Sequence, residues 1–313
     1  MRCATRIGPR STSICSVHAS SRANNNSFEG ISYHCYADDL QLYCSFKPDK
    51  LDIINTLHEC LSAIKNWMAN NFLQLNAEKT QVLIIGSDKV AADVANHLGP
   101  LKSNICSNPR NLGIILDQAM LLDKQVKSVS SACFYHLRNI AKLRSVVSHP
   151  ELEMIIHAFI SSRLDYCNSL FTCLSKSSLD RLQLVQNAAA RLLTRTRRSC
   201  HITPILSSLH WLPVNYRIHF KILVITHRTL HGQAPPYISE LLQPYVPNRS
   251  LRSSSQALLV VPPTKLITKG DRAFASFAPR LWNDLPYHLK SVTSVDLFKK
   301  LLKTHLFRQA FAT

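Results

Sequence analysis

Apolar and polar residues alternate strictly over residues 40–46: Leu40, Leu42, Cys44 and Phe46 against Gln41, Tyr43 and Ser45. This period of two marks a half-buried strand. A second strand-like run, Ile31-Ser32-Tyr33-His34-Cys35, lies just upstream, with Tyr36-Ala37-Asp38-Asp39 between the two. The pattern predicts a β-hairpin with both aspartates at its tip, where Asp tolerates unusual backbone angles better than most residues. The period then changes. Leu51, Ile54, Leu57, Leu61, Ile64 and Met68 recur at spacings of three and four, so residues 51–71 read as an amphipathic helix. Gln81 to Ile85 is a β-rich run stopped by Gly86, and Leu112-Gly113-Ile114-Ile115-Leu116 reads as a further strand ending at Asp117.

Downstream, helical spacing dominates. Helices are predicted over 122–145, over 150–165 with Pro150 at the start, over 178–195, over 215–231 and over 294–309. In 178–195, Ser178 reads as the N-cap, with Leu179, Leu182, Val185, Ala189 and Leu192 on one face. In the last helix Thr293 or Ser294 caps, Asp296 lies in the first turn, and Val295, Phe298, Leu301 and Leu302 point inward. Residues 1–27, rich in Ser, Asn and Arg, show no apolar period and are expected to be disordered. The loop at 247–270 is expected to be flexible. The fold class is α+β, a strand-containing first part followed by a mainly helical remainder.

Charge divides the chain in the same way. Residues 1–120 hold 11 Lys and Arg against 10 Asp and Glu, whereas residues 121–313 hold 26 against 9. Nearly all of the net charge of +18 is therefore downstream. Two clusters stand out: Arg181, Arg191, Arg195, Arg197 and Arg198, and Lys290, Lys299, Lys300, Lys303 and Arg308. Such a surface attracts nucleic-acid phosphates with salt-dependent affinity, and RNA or an RNA/DNA duplex is the expected partner. The ten cysteines include no Cys-x-x-Cys pair, which argues for scattered reduced thiols over structural zinc. No apolar run approaches the roughly 20 residues of a membrane span, and no secretory leader is evident. An intracellular location, cytoplasm or nucleus, is expected.

The candidate chemistry lies at the hairpin tip. Two adjacent carboxylates on a stiff turn suit a pair of Mg²⁺ ions roughly 3.5–4 Å apart, which stabilise both oxygens of a phosphoryl transfer. Tyr36-Ala37-Asp38-Asp39, a helix ending in Trp67-Met68, Leu75-Asn76-x-x-Lys79-Thr80 and Leu112-Gly113-x-x-Leu116-Asp117 follow in order. Together these resemble the reverse transcriptases of non-LTR (LINE-type, jockey-like) retrotransposons. The resemblance continues through Arg163-Leu164-Asp165-Tyr166-Cys167-Asn168, Val185-Gln186-Asn187-Ala188-Ala189-Ala190-Arg191-Leu192, His210-Trp211-Leu212-Pro213-Val214 and Pro279-Arg280-Leu281-Trp282-Asn283-Asp284-Leu285-Pro286. It covers residues from about Phe28 to the C-terminus.

The resemblance implies a partial polymerase palm over 28–118, a helical thumb-like region over 119–200 that holds the template–primer duplex, and a C-terminal helical and loop region over 201–313, after an unrelated 1–27. It implies Asp38 as the main Mg²⁺ ligand with Asp39 beside it, and Tyr36 and Ala37 near the nucleotide or primer end. Lys79 would assist the leaving pyrophosphate as proton donor or positive charge. Leu112 and Gly113 would belong to the strand that steadies the primer. His210-Trp211 and Leu281-Trp282-Asn283 could stack on bases, although tryptophan more often anchors a core. In this family a further carboxylate comes from an earlier strand, but Glu29 is the sole acidic residue before Tyr36. Losing one preorganised group commonly costs on the order of 100-fold or more. The expectation is a truncated, catalytically inactive reverse transcriptase; a non-catalytic RNA-binding module or an unselected relic are the alternatives.

Overall fold

The computed structural model describes residues 2–7, 28–37, 39–47, 50–172, 174–247, 256–264 and 270–311. Two compact units divide the chain, Met1–Gln125 and Val126–Thr313.

The first unit is built on a four-stranded sheet in the order β2-β3-β1-β4, comprising β1 (Arg2–Ile7), β2 (Ile31–Tyr36), β3 (Asp39–Ser45) and β4 (Gln81–Ile85). β2 and β3 form the predicted hairpin, with Tyr36 opposite Asp39. Alternation along β3 does what the sequence promises: Leu40, Leu42 and Cys44 are buried, while Gln41 and Tyr43 are only partly so. Those three, with Ile31, Val82 and Ile84, pack against helix α1 (Ile53–Asn70) through Ile54, Leu57, Cys60, Leu61, Ile64 and Met68. Each fully buried Leu or Ile in this layer contributes roughly 1.5–3 kcal/mol relative to exposure. Burial also pushes the Cys60 thiol up to about 11, so it stays a protonated, inert core residue. Gly30 precedes β2 at φ +82°, and a Cβ there would lie 2.7 Å from Ile53 Cδ1. A side chain at this position would strain the left-handed backbone and push the Ile53 side-chain tip aside.

β1 was not expected. Residues 1–27 carry no strand signal, yet Arg2–Ile7 inserts between β3 and β4 and pairs antiparallel with both. The rest of that segment, 8–27, lies outside the described residues. The run at 112–116 is also not one strand. Arg110–Asn111 (β5) and Ile114–Ile115 (β6) pair as a small hairpin, and Leu112 (φ 45°) and Gly113 (φ 83°) are its two-residue turn. Positive φ at both central positions is the type I′ signature that matches strand twist. The apolar content of Ile114 and Ile115 hides this turn in the sequence. Helix α2 (Asp88–His97) completes the unit.

The second unit is helical: α3 (Asp123–Leu143), which begins just before the unit boundary, α4 (His149–Ile156), α5 (Lys176–Thr194), α6 (Ile202–Ser208), α7 (Val214–Leu230), α8 (Phe274–Asn283) and α9 (Val295–Phe311). α4 opens on a capping box: Ser148 N and Oγ both donate to Glu151 Oε2, at 2.7 and 2.8 Å, with Pro150 in the first turn. These bonds hold the Glu151 carboxyl below its ordinary value. α4 runs on through a π-helical stretch, His157–Ser161, into Ser162–Asp165. The central helix is α7, buried around much of its circumference (Ile218, Ile222, Leu223, Thr226, His227), with α5, α8 and α9 packed on it. The boundary drawn from the sequence at residue 200 falls inside this unit.

Helix positions agree with the sequence more closely than helix faces do. α5 is capped by Ser175, whose Oγ accepts from Ser178 N at 3.2 Å; Ser178 is one turn inside and buried. The buried face of α5 is Leu182, Val185, Gln186, Ala189, Ala190 and Leu193, with Leu179 and Leu192 at its margin. In α9, Phe298, Leu302 and Leu306 are buried and Leu301 is exposed, the reverse of the expectation for Leu301.

Candidate active site and nucleic-acid surface

Tyr36, Ala37 and Asp39 lie at the tip of the β2–β3 hairpin. Ala37 takes a left-handed conformation (φ 50°), as the first central residue of a primed hairpin turn requires. Tyr36 is two-thirds exposed (67%), and Asp39 opens β3 partly buried. Asp38 lies outside the described residues.

Lys79 belongs to the same end of the sheet. Gln41, Arg6 and Gln81 share one row across β3, β1 and β4, because Arg6 is opposite Gln41 on one side and Gln81 on the other. β3 and β4 are thus parallel to each other and begin at the same edge. With strands about 4.8 Å apart, Lys79, two residues before β4, stands about 10 Å from the Asp39 end of β3.

The Leu75-Asn76-x-x-Lys79-Thr80 pattern has a plain local cause. Asn76 Oδ1 accepts from Lys79 N at 3.1 Å and Thr80 Oγ1 donates to Asn76 O at 3.0 Å, closing the 3₁₀ turn Ala77–Lys79. Asn104 Nδ2 ties this turn down through Ala77 O (3.1 Å) and Thr80 O (3.0 Å). Lys79 is left exposed at the end of a braced turn. Asn76→Ala should cost the first unit about 1 kcal/mol, as loss of a capping side chain does. Urea denaturation, with Thr80→Val as the partner variant, measures it.

Leu112 and Gly113 form the β5–β6 turn, which corrects the expectation that they lie within a strand. Gln125 Oε1 braces that hairpin by accepting from Ile115 N at 3.0 Å, and just beyond it the Asp117 carboxylate closes the next turn, accepting from Leu121 N and Leu122 N at 2.9 and 2.6 Å.

Residues 7–130 match the family model for reverse transcriptase (RNA-dependent DNA polymerase). The match takes in the aspartate hairpin, α1, the Asn76–Thr80 turn and the β5–β6 hairpin, and ends close to the boundary of the first unit. It supports a reverse-transcriptase domain over that span. No curated protein and no solved structure matches the chain.

Reverse transcriptases act on nucleic acid and depend on divalent metal. A two-metal site needs several convergent carboxylates, and the family resemblance implies that one of them comes from a strand near the hairpin. The strand alongside β3 is β1, Arg2-Cys3-Ala4-Thr5-Arg6-Ile7, which carries no carboxylate. Among the described residues no carboxylate therefore stands on the strand alongside Asp39, and no catalytic step is assigned through a metal pair. Among the described residues no group of three or more His, Cys, Asp or Glu is placed to hold a metal, and no helix is long and apolar enough to cross a membrane.

The two basic clusters fare differently from residue to residue. Arg181, Arg197 and Arg198 are exposed. Arg195 is exposed at the C-cap of α5 in a left-handed conformation (φ 57°). Arg191 turns inward, donating from Nη2 to Cys200 O at 3.1 Å, and so closes the loop after α5. Lys290 is buried, its Nζ donating to Asn283 O at 2.8 Å, and burial lowers its pKa. Lys300, Lys303 and Arg308 are exposed on α9, while Lys299 pairs with Asp296 at 3.0 Å.

Neither downstream tryptophan is free to stack on a base. Trp211 and Trp282 are 6% and 1% exposed. The motifs around them act as interlocks. Gln186 Nε2 donates to Leu212 O (2.8 Å) and Val214 N donates to Gln183 Oε1 (2.9 Å), which fasten the His210–Val214 turn to α5.

One site was missed entirely. Asp165 and Arg217, 52 residues apart, form a two-point ion pair: Nε to Oδ1 at 2.8 Å, and Nη2 to Oδ2. They line an open cavity of about 480 Å³ in the second unit, together with Asn168, Trp211, Lys221 and Lys303. The Arg163–Asn168 motif was the available signal, but nothing in the sequence tells which cation answers Asp165.

Proposed function

We propose that this chain is a relative of non-LTR, LINE-type (jockey-like) retrotransposon reverse transcriptases whose hairpin does not polymerise and whose basic helical unit binds RNA. One observation carries the first half: the sheet position beside the aspartate hairpin is filled by β1, and β1 brings no carboxylate. Two aspartates on one turn hold Mg²⁺ loosely, since Mg²⁺ keeps most of its waters and demands octahedral geometry. Without a ligand from the neighbouring strand, the ions and the triphosphate lack the preorganised charge on which phosphoryl transfer depends. In this reading Tyr36, Asp39, Lys79, Leu112 and Gly113 are what is left of a primer-terminus site, without the chemistry.

The second half rests on the exposed cations Arg181, Arg197, Arg198, Lys300, Lys303 and Arg308, all in a unit with few opposing carboxylates. In this reading the unit holds a strand or duplex through its phosphates, as a polymerase thumb does. The test is Mg²⁺-dependent primer extension on an RNA template, with Asp38→Asn/Asp39→Asn as control, beside RNA binding measured across a salt series. No extension above the control, with RNA affinity that falls steeply with salt, is the expected result. Extension that disappears in the control would overturn the inactive hairpin. A preparation that binds no RNA at low salt would overturn the binding role.

A further inference from the structure

Three departures from regular backbone meet around the cavity behind the Asp165–Arg217 pair. The π-helical stretch His157–Ser161 brings His157 to one side of it. Cys167 (φ 51°), just before Asn168, and His210 (φ 54°) both hold a left-handed conformation. Non-glycine residues in that region cost energy, and such strain gathers at ligand-binding sites. Leu209, Trp211, Leu212 and Phe220 supply an apolar wall, with Trp211 packed on His157 at 5.3 Å between ring centroids. A volume of about 480 Å³ falls in the range of small-molecule sites.

The charge around this wall is one-sided. Of the two carboxylates in the lining, Asp165 is held by Arg217 and Glu153 lies 3.6 Å from His157. Lys221 and Lys303 are exposed, and neither has a carboxylate within ion-pair distance among the described residues. Helix packing sets the two lysines together. α7 and α9 run antiparallel: His227 stacks on Phe298 near one end, and Tyr216 Oη donates to Gln309 O at 3.3 Å near the other. That register brings Lys221 abreast of residues 303–304, so both ammonium groups stand at the mouth of one cavity. A single anionic group there takes donors from both helices, and no ion pair within the described chain competes for them.

We propose that this cavity binds an organic anion with a flat apolar body, the body lying along Trp211 and Phe220 and the carboxylate held between Lys221 and Lys303. Backbone phosphates of RNA are met by exposed cations alone and leave the apolar wall unexplained. An uncharged apolar ligand leaves the two lysines unexplained. The inference goes beyond the RNA-binding reading and does not rest on it; the two share only Lys303. A free aromatic acid and an acidic peptide with one aromatic side chain offer the same chemistry.

The test is titration calorimetry on the full chain with 2-naphthoate, its uncharged twin 2-naphthylmethanol, and acetate, which has the charge without the body. Naphthoate should bind saturably at one site per chain, about tenfold more tightly than naphthylmethanol, and acetate should show no saturation over the same range. Lys221→Ala/Lys303→Ala, at two exposed positions that leave the core intact, should bring naphthoate down to the level of naphthylmethanol and leave naphthylmethanol unchanged. Phe220→Leu, which keeps an apolar side chain in the wall, should weaken both naphthyl ligands severalfold, with its melting curve checked beside it. A capped Glu-Phe-Glu tripeptide, titrated in competition, distinguishes the sources: tighter binding than naphthoate assigns the cavity to a protein segment, and weaker binding assigns it to a free aromatic acid. No saturable binding of naphthoate, equal binding of naphthylmethanol, or binding untouched by the lysine pair would overturn the proposal.

Discussion

Trp282→Ala should destabilise the second unit by about 3–5 kcal/mol, the range for removing a fully buried aromatic side chain. Trp282 is on α8 and packs against Phe298 of α9 (6.0 Å between ring centroids) and His227 of α7 (6.4 Å), so three helices meet on its ring. Its Nε1 donates to Ala257 O at 2.9 Å. Next to it, Asn283 answers Leu259 twice, accepting from its N and donating to its O, both at 2.9 Å. The pair therefore pins the 257–259 segment against α8, and the Ala variant loses both the ring and one of the pins. Trp282→Phe keeps most of the ring and leaves Ala257 O unpaired, which should cost about 1–3 kcal/mol. Chemical denaturation of both variants, with RNA affinity measured below the transition, separates the two readings of this residue. Large stability losses with unchanged affinity in the folded state are expected. Unchanged stability with weakened RNA binding would mean that Trp282 stacks on bases after all.

The same residues show what could and could not be read from the sequence. The hairpin, α1 and β4 were legible because their signals are local: strict alternation over 40–46, a three-and-four spacing over 51–68, a β-rich run closed by Gly86. β1 was not, since Arg2–Ile7 has no period of its own and becomes a strand only through the two neighbours it pairs with. Leu112-Gly113 hid a turn inside an apolar run. In α5 the cap was misplaced, since Ser178 looked like one whereas Ser175 does that work three residues earlier; the face was right at Leu182, Val185 and Ala189. Lys290 and Arg191, counted among surface cations, answer backbone carbonyls instead, Lys290 inside on Asn283 O and Arg191 on Cys200 O. Sequence gives the charge of a side chain, but the carbonyl it answers depends on tertiary packing. The Asp165–Arg217–Asn168 cavity failed to show for the same reason.

Acid should weaken the second unit earlier and more steeply than the first, and His227 is one cause. Its ring is fully buried, sandwiched between His231 and Phe298 at 4.1 Å from each, and its Nε2 donates to Val292 O at 2.7 Å. That bond fixes the tautomer and leaves Nδ1 bare and buried. Protonation would place an unpaired charge there, so burial, aided by His231 and only partly offset by Val292, holds the pKa below the ordinary 6.5. Burial lowers His219 and His305 in the same direction.

For a histidine lowered on folding, the stabilising contribution is complete above the unfolded value. As pH drops past 6.5 the unfolded chain takes up a proton that the folded chain refuses, and the contribution is lost by the time the folded value is reached. Within that window each such group steepens the pH dependence of stability by up to about 1.4 kcal/mol per pH unit. His227→Phe, which keeps the stack, removes this slope and leaves Val292 O unpaired. It should lower stability at neutral pH by about 1–3 kcal/mol and flatten the curve below it. Denaturation midpoints followed from neutral to mildly acid pH measure both effects. A variant as steep as the wild type would place the acid sensitivity elsewhere.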